Sequence, residues 1–106
     1  NFDHSYLDII FNNLFKNSIE ALQTTNNPEI DITLKKIEKK LILTFFDNGP
    51  GYDGDIDDLI KPYFSTKNSS GLGLSLINKI ITDNSYKMNI TTNSYSGFKI
   101  EIIFYD

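Results

Sequence analysis

The stretch Leu41-Ile-Leu-Thr-Phe-Phe-Asp-Asn-Gly-Pro-Gly51 changes character halfway along. Leu41 to Phe46 reads as the most hydrophobic strand of the chain, while Asp47 to Gly54 is a loop rich in Gly, Pro and Asp. N-G and P-G are ordinary turn dipeptides, so a plain turn is one reading. The other is a ligand pocket. A carboxylate at the end of a core strand can accept a hydrogen bond from a ligand amine, and the glycines beyond it let backbone approach closely.

Upstream of this stretch, Ile30, Ile32 and Leu34 alternate with Asp31, Thr33 and Lys35, and Ile37 to Lys40 turns the chain, which makes a hairpin. Thr24 to Pro28 is a loop by composition. Before it, Leu7, Ile10, Phe11, Leu14, Ser18 and Ala21 recur at helical spacing, predicting a helix from Asp3, its cap, to Leu22 with one buried stripe. Downstream, a helical turn near Asp55–Ile60 and a connector from Lys61 to Ser69 lead to a second helix, capped by Ser70 and running to Asp83. Strands Met88–Thr92 and Phe98–Phe104, joined by the turn Asn93–Gly97, close the chain. Helix, hairpin, loop, helix, hairpin predicts a two-layer α/β sandwich, a mixed sheet with helices on one face.

Composition bounds the function. The 106 residues suit a single domain, and 40% hydrophobic with 23% charged residues suits a folded one. All the cations are lysine, and the net charge is −4, which speaks against a duplex-binding module. With no cysteine, disulfides and thiolate zinc sites are excluded. No apolar run approaches the roughly 20 residues of a membrane span, so neither nucleic acid nor membrane contact is expected of this domain.

Four further places can carry chemistry. Asn13 and Asn17 stand one helical turn apart on the border of the apolar stripe, and asparagine is a mediocre helix former, so a pair there suggests a ligand. Gly71-Leu-Gly-Leu74 opens a helix, where backbone N–H groups and the positive dipole end suit phosphate. It is neither a Walker loop nor a strand-to-helix dinucleotide fingerprint. Lys61-Pro-Tyr-Phe-Ser-Thr-Lys67 sets two aromatics in a connector, as core anchors, and Lys67 close enough in sequence to the glycines to meet a phosphate as a point charge. His4, the single histidine, stands at a helix start and reads as a solvated polar residue.

In this order, paired Asn on a helix, DNGPG after a core strand, PYFSTK, and GLGLSL opening a helix, the chain resembles the ATP-binding domain of bacterial sensor histidine kinases. These are Bergerat-fold (GHKL) ATPases, relatives of the gyrase-type and MutL-type enzymes. The resemblance covers nearly the whole chain, implies one N-terminally truncated ATP-binding domain over residues 1–106, and implies ATP and Mg2+ as ligands. It implies that Asn17 holds magnesium and Asn13 lies beside the phosphates, and that Asp47 accepts the adenine amine in a pocket shaped by Gly49 and Gly51. Tyr63, Phe64 and Lys67 match the phenylalanine box bordering the lid, and Gly71, Leu72 and Gly73 the glycine box whose amides meet the phosphates.

The implied activity is transfer of the γ-phosphoryl group to a histidine on a separate dimerisation domain. The implied setting is a cytoplasmic, homodimeric sensor kinase, in some cases membrane-anchored, that signals to the receiver domain of a response regulator. Gyrase-type ATPases carry a glutamate at the place of Asn13, and asparagine cannot act as a general base at neutral pH, so the kinase branch fits better. Three departures stand against the pattern: Glu20 where many members have Lys or Arg, a lid of only Asn68, Ser69 and Ser70, and Phe98 where a Thr or Ser usually supports the aspartate. They motivate an alternative, a degenerate nucleotide-binding or protein-interaction module without kinase activity. The family's first strand and the phosphoacceptor helix would precede Asn1.

Overall fold

The computed structural model describes residues 4–61 and 73–105. Helix α1 (His4–Ala21) is followed by a 3-10 turn (Leu22–Thr24), the hairpin of β1 (Ile30–Ile37) and β2 (Lys40–Asp47), a short α2 (Ile56–Leu59), then α3 (Gly73–Asp83), β3 (Lys87–Asn93) and β4 (Gly97–Tyr105). The expected caps Asp3 and Ser70 lie outside the described residues. Asp55 caps α2 by accepting the Asp57 N–H at 3.0 Å. α3 ends in a left-handed Ser85 (φ 57°), with Tyr86 N–H bonded to the Ile81 carbonyl and Ser85 N–H to Thr82, a Schellman closure built without glycine.

The sheet order is β1-β2-β4-β3. Here the expected mixed sheet is corrected: every described pair is antiparallel. β2 and β3 do run in the same direction, joined through α3, but β4 lies between them and pairs antiparallel with both. The helical crossover thus links strands that are not neighbours, so it creates no parallel ladder. The β1–β2 turn falls at 37–40, as the sequence predicts. Ile37 pairs with Lys40, leaving a two-residue loop with Glu38 in the left-handed region at φ 54°.

One face of the sheet carries the core. Leu43 and Phe45 from β2, Ile90 from β3, and Ile100, Ile102 and Phe104 from β4 pack with Ile10 and Leu14 of α1 and Ile77, Ile80 and Ile81 of α3. The stripe read from the sequence is the face that α1 buries, and the two-layer α/β expectation stands. β1 is the edge strand: Ile32 and Leu34 share the inward face but remain 40% and 53% exposed. Asp47 lies where this core gives way to loop, at the end of β2.

Candidate functional site

Asp47 is the last residue of β2 and continues its inward alternation after Leu43 and Phe45, so the strand itself drives the carboxylate into the interior. It is 4% exposed. The sheet offers it no polar neighbour, because its cross-strand partners are Ile30 on β1 and Phe98 on β4. Its hydrogen bonds come from elsewhere. Ser18 on α1 donates its hydroxyl to Oδ2 at 2.8 Å, and the Gly49 N–H donates to Oδ1 at 3.0 Å. Burial pushes the Asp47 carboxyl above the ordinary aspartate range, and these two bonds oppose that shift without cancelling it. A carboxylate has about four acceptor positions, so two bonds leave capacity for a ligand donor.

Ser18 is the residue that the sequence reading missed as a site residue. It was placed in the buried stripe, and there it is, 3% exposed. The available signal was its polarity: a hydroxyl on an otherwise apolar stripe needs a partner. That partner lies 29 residues away. The missing hydroxyl at Phe98 is thereby answered from the helix layer rather than from the sheet.

Asn17, next in sequence to Ser18, is half-buried and faces the start of α3. A methyl group at Gly73 would come within 2.8 Å of the Asn17 Nδ2 and 3.2 Å of its Oδ1. Glycine at the first position of α3 is what lets this helix N-terminus sit against the asparagine carboxamide. Asn13, one turn earlier and half-buried, donates its Nδ2 to the Ile9 carbonyl at 2.7 Å, which leaves the amide oxygen as its acceptor. Asn13, Asn17 and Gly73 are therefore gathered along α1 and the mouth of α3, with Asp47 and Gly49 reached through Ser18. Tyr63, Phe64, Lys67, Gly71 and Leu72 lie outside the described residues.

The loop after Asp47 is fastened at both ends. Asn48 accepts the Glu29 N–H at 2.7 Å and donates to the Asn27 carbonyl at 3.0 Å, clipping it to the segment before β1. Thr92 on β3 accepts the Tyr52 N–H at 3.0 Å and donates to the Gly97 carbonyl at 2.6 Å. Asp53 accepts the Ser94 backbone N–H at 2.7 Å, and the bonds from Ser94, side chain and backbone together, hold its carboxyl below the ordinary range. Gly51 (φ 66°) and Gly97 (φ 78°) are left-handed, and a side chain on Gly51 would strike the Asn93 carbonyl. So Gly51 lets the loop dock on the β3–β4 turn. Thr92 and Asp53 carried no sequence signal, being partners across about 40 residues.

Among the described residues no group of three or more His, Asp or Glu gathers to hold a metal ion, and no helix is long and apolar enough to cross a membrane.

Comparison with known proteins identifies the family and the fold. Residues 2–105 match the family model described as histidine kinase-, DNA gyrase B-, and HSP90-like ATPase. The chain is 40% identical over 108 residues to the sensory histidine kinase/phosphatase NtrB of Rhizobium leguminosarum bv. phaseoli, covering 86% of this chain and 28% of that protein. It is 26% identical over 104 residues to a putative sensor histidine kinase NtrY-like protein of Rickettsia bellii, covering 96% and 17%. It thus spans well under a third of the length of either relative. The solved catalytic domain of histidine kinase ThkA superposes with a TM-score of 0.80 at 30% identity, covering 97% of this chain and 69% of that one. With a family match over nearly its full length and a fold shared with a histidine kinase catalytic domain, the chain belongs to the histidine kinase-, gyrase B- and HSP90-like ATPases, as an ATP-binding catalytic domain of the sensor histidine kinase type.

Proposed function

We propose that this domain, residues 1–106, binds Mg-ATP and presents the γ-phosphoryl group to a histidine on a separate dimerisation domain. The observation that carries the reading is the adjacency of Ser18 and Asn17 on α1. One residue fastens the buried carboxylate of Asp47, and the next meets the N-terminus of α3 at Gly73. A ligand with an amine at one end and phosphates at the other fits that pairing. Asp47 takes the adenine amine, with Gly49 and Gly51 forming the backbone around the base. Asn13, Asn17 and Gly73 at the start of α3, with Gly71 and Leu72 just before it in sequence, are proposed to meet the triphosphate, and Tyr63, Phe64 and Lys67 to border it.

Magnesium fits the donor set. Asn17 offers a hard, neutral amide oxygen, suited to an ion whose charge is already shared with phosphate oxygens. When bound, the ion supplies neutralisation of the phosphate charge. The chain's own contribution is positioning, with α1 holding both ends of the nucleotide in one register. Asn13 supplies no general base for water, so the bound phosphoryl group awaits a nucleophile from outside.

The relatives that match are sensor kinases. On that basis the partners are the dimerisation and phosphoacceptor domain of the same kinase and a response regulator receiver domain, and the setting is a cytoplasmic part of a homodimeric protein. The test uses γ-labelled ATP with this protein alone and with a histidine-bearing helical domain of a sensor kinase added in trans. Label on the helical domain only in the mixture, with phosphate release at background from this protein alone, is the expected result. Steady phosphate release by this protein alone contradicts it.

A further inference from the structure

We propose that Ser18 is the positioning residue for the base-recognising carboxylate, and that its hydroxyl gives the site its preference for a 6-amino over a 6-oxo purine. The inference rests on the reading of Asp47 as the base acceptor and deepens it.

Three observations carry it. The sheet leaves Asp47 without a polar side chain beside it, its partners across both ladders being Ile30 and Phe98. Among the described residues, then, the side-chain donor that meets the carboxylate is Ser18, at 2.8 Å and fully inside the protein. The backbone donor, the Gly49 N–H, holds only the other oxygen. With both oxygens held, the carboxyl plane is fixed. With one released, it can turn about χ2, a torsion that has a broad, soft profile for aspartate.

The consequence is chemical as well as geometric. An ionised, fixed carboxylate accepts from a 6-amino group and repels the lone pairs of a 6-oxo group. Burial already favours the protonated acid, and the Ser18 bond works against it. Neither Ser18, Gly49, Ile30 nor Phe98 carries a charge that could take over that task. Without the hydroxyl, the carboxyl is both freer to turn and more readily protonated. A protonated carboxyl can donate to a 6-oxo group, so discrimination falls from two sides at once.

The experiment is calorimetric titration of wild type, Ser18→Ala and Asp47→Asn with ATP and with inosine triphosphate, each with Mg2+, plus thermal melting of all three. Alanine is the best helix former, so Ser18→Ala keeps α1. Wild type is expected to prefer ATP. In Ser18→Ala, affinity for ATP falls about 5- to 10-fold, as for one lost hydrogen bond, while affinity for inosine triphosphate holds or rises. A parallel loss for both nucleotides marks a merely structural role and overturns the proposal, as does an unchanged ratio. Asp47→Asn separates the two levels of the argument. If its ratio stays at the wild-type value, the base-acceptor reading is wrong and Ser18 falls with it. If it collapses while that of Ser18→Ala does not, the reading of Asp47 stands and the role of Ser18 alone is refuted.

Discussion

Asp47 combines two demands that oppose each other. In the proposed role the ionised form is the better acceptor for an amine, while burial favours the protonated form and pushes the carboxyl pKa above the usual aspartate range. The sign follows by linkage. The folded state holds the proton more tightly than the unfolded chain, so the Asp47 contribution to stability declines as pH rises from the ordinary aspartate range through the raised value. Its ionised form therefore carries a stability cost, one the proposed binding role accounts for. Asp47→Asn is therefore expected to melt above wild type at pH 7 while losing ATP affinity. ATP affinity of wild type is expected to fall on acidification at a pH above that at which an exposed aspartate titrates. Melting curves and titrations across pH check both. Gly73→Ala acts at the other end, since its methyl group displaces the Asn17 carboxamide. It should weaken Mg-ATP by roughly 10-fold, about 1.4 kcal/mol and within the range of a lost interaction to a charged ligand, while leaving adenosine affinity nearly unchanged. Much of this site was legible in the sequence, because Asp47, Asn17 and Gly73 stand out by residue type and local spacing. Ser18 was not, since its role comes from a partner on another element and its position reads as core.

At the scale of elements, the loop 48–54 is held by what it docks on. Thr92 ties its Tyr52 N–H to the β3–β4 turn, and Gly97 passes so close to the Asp47 carbonyl that a side chain would collide with it. Gly97→Ala meets both that collision and a left-handed φ of 78°. A cost of about 1–3 kcal/mol is expected, seen as a drop of several degrees in melting temperature with ATP affinity reduced as Asp47 shifts. Asp53→Ala, on the exposed side of the same latch, should lower stability only slightly. Since the folded state holds its carboxyl below the ordinary range, that contribution is present at neutral pH and lost as pH falls through the lowered value. Element types and order followed from periodicity and turn residues. The two hairpins, β1–β2 and β3–β4, followed from their turns, but the β2–β4 pairing did not, because periodicity tells which face a strand buries and not which distant strand lies beside it; the position of β4 between β2 and β3 is a tertiary fact.

For the whole molecule, a net charge of −4 without a single arginine seemed at odds with a polyanionic ligand. The proposed site answers this with uncharged groups at the phosphate end, the amide side chains on α1 and the backbone N–H groups at the start of α3, and keeps its one carboxylate, Asp47, for the base. Net charge governs nonspecific attraction over the surface, whereas recognition in the proposed site depends on a few dipoles held in place by two helices and a strand end. The central claim is that Asp47 and the α1–α3 junction form one adenine nucleotide site, and titration of wild type and Asp47→Ala with Mg-ATP tests it most directly. Saturable one-site binding by wild type, weakened at least about 10-fold in a folded Asp47→Ala variant, is the predicted result. A folded wild type that shows no saturable binding, or an Asp47→Ala variant that binds as wild type does, would contradict the account.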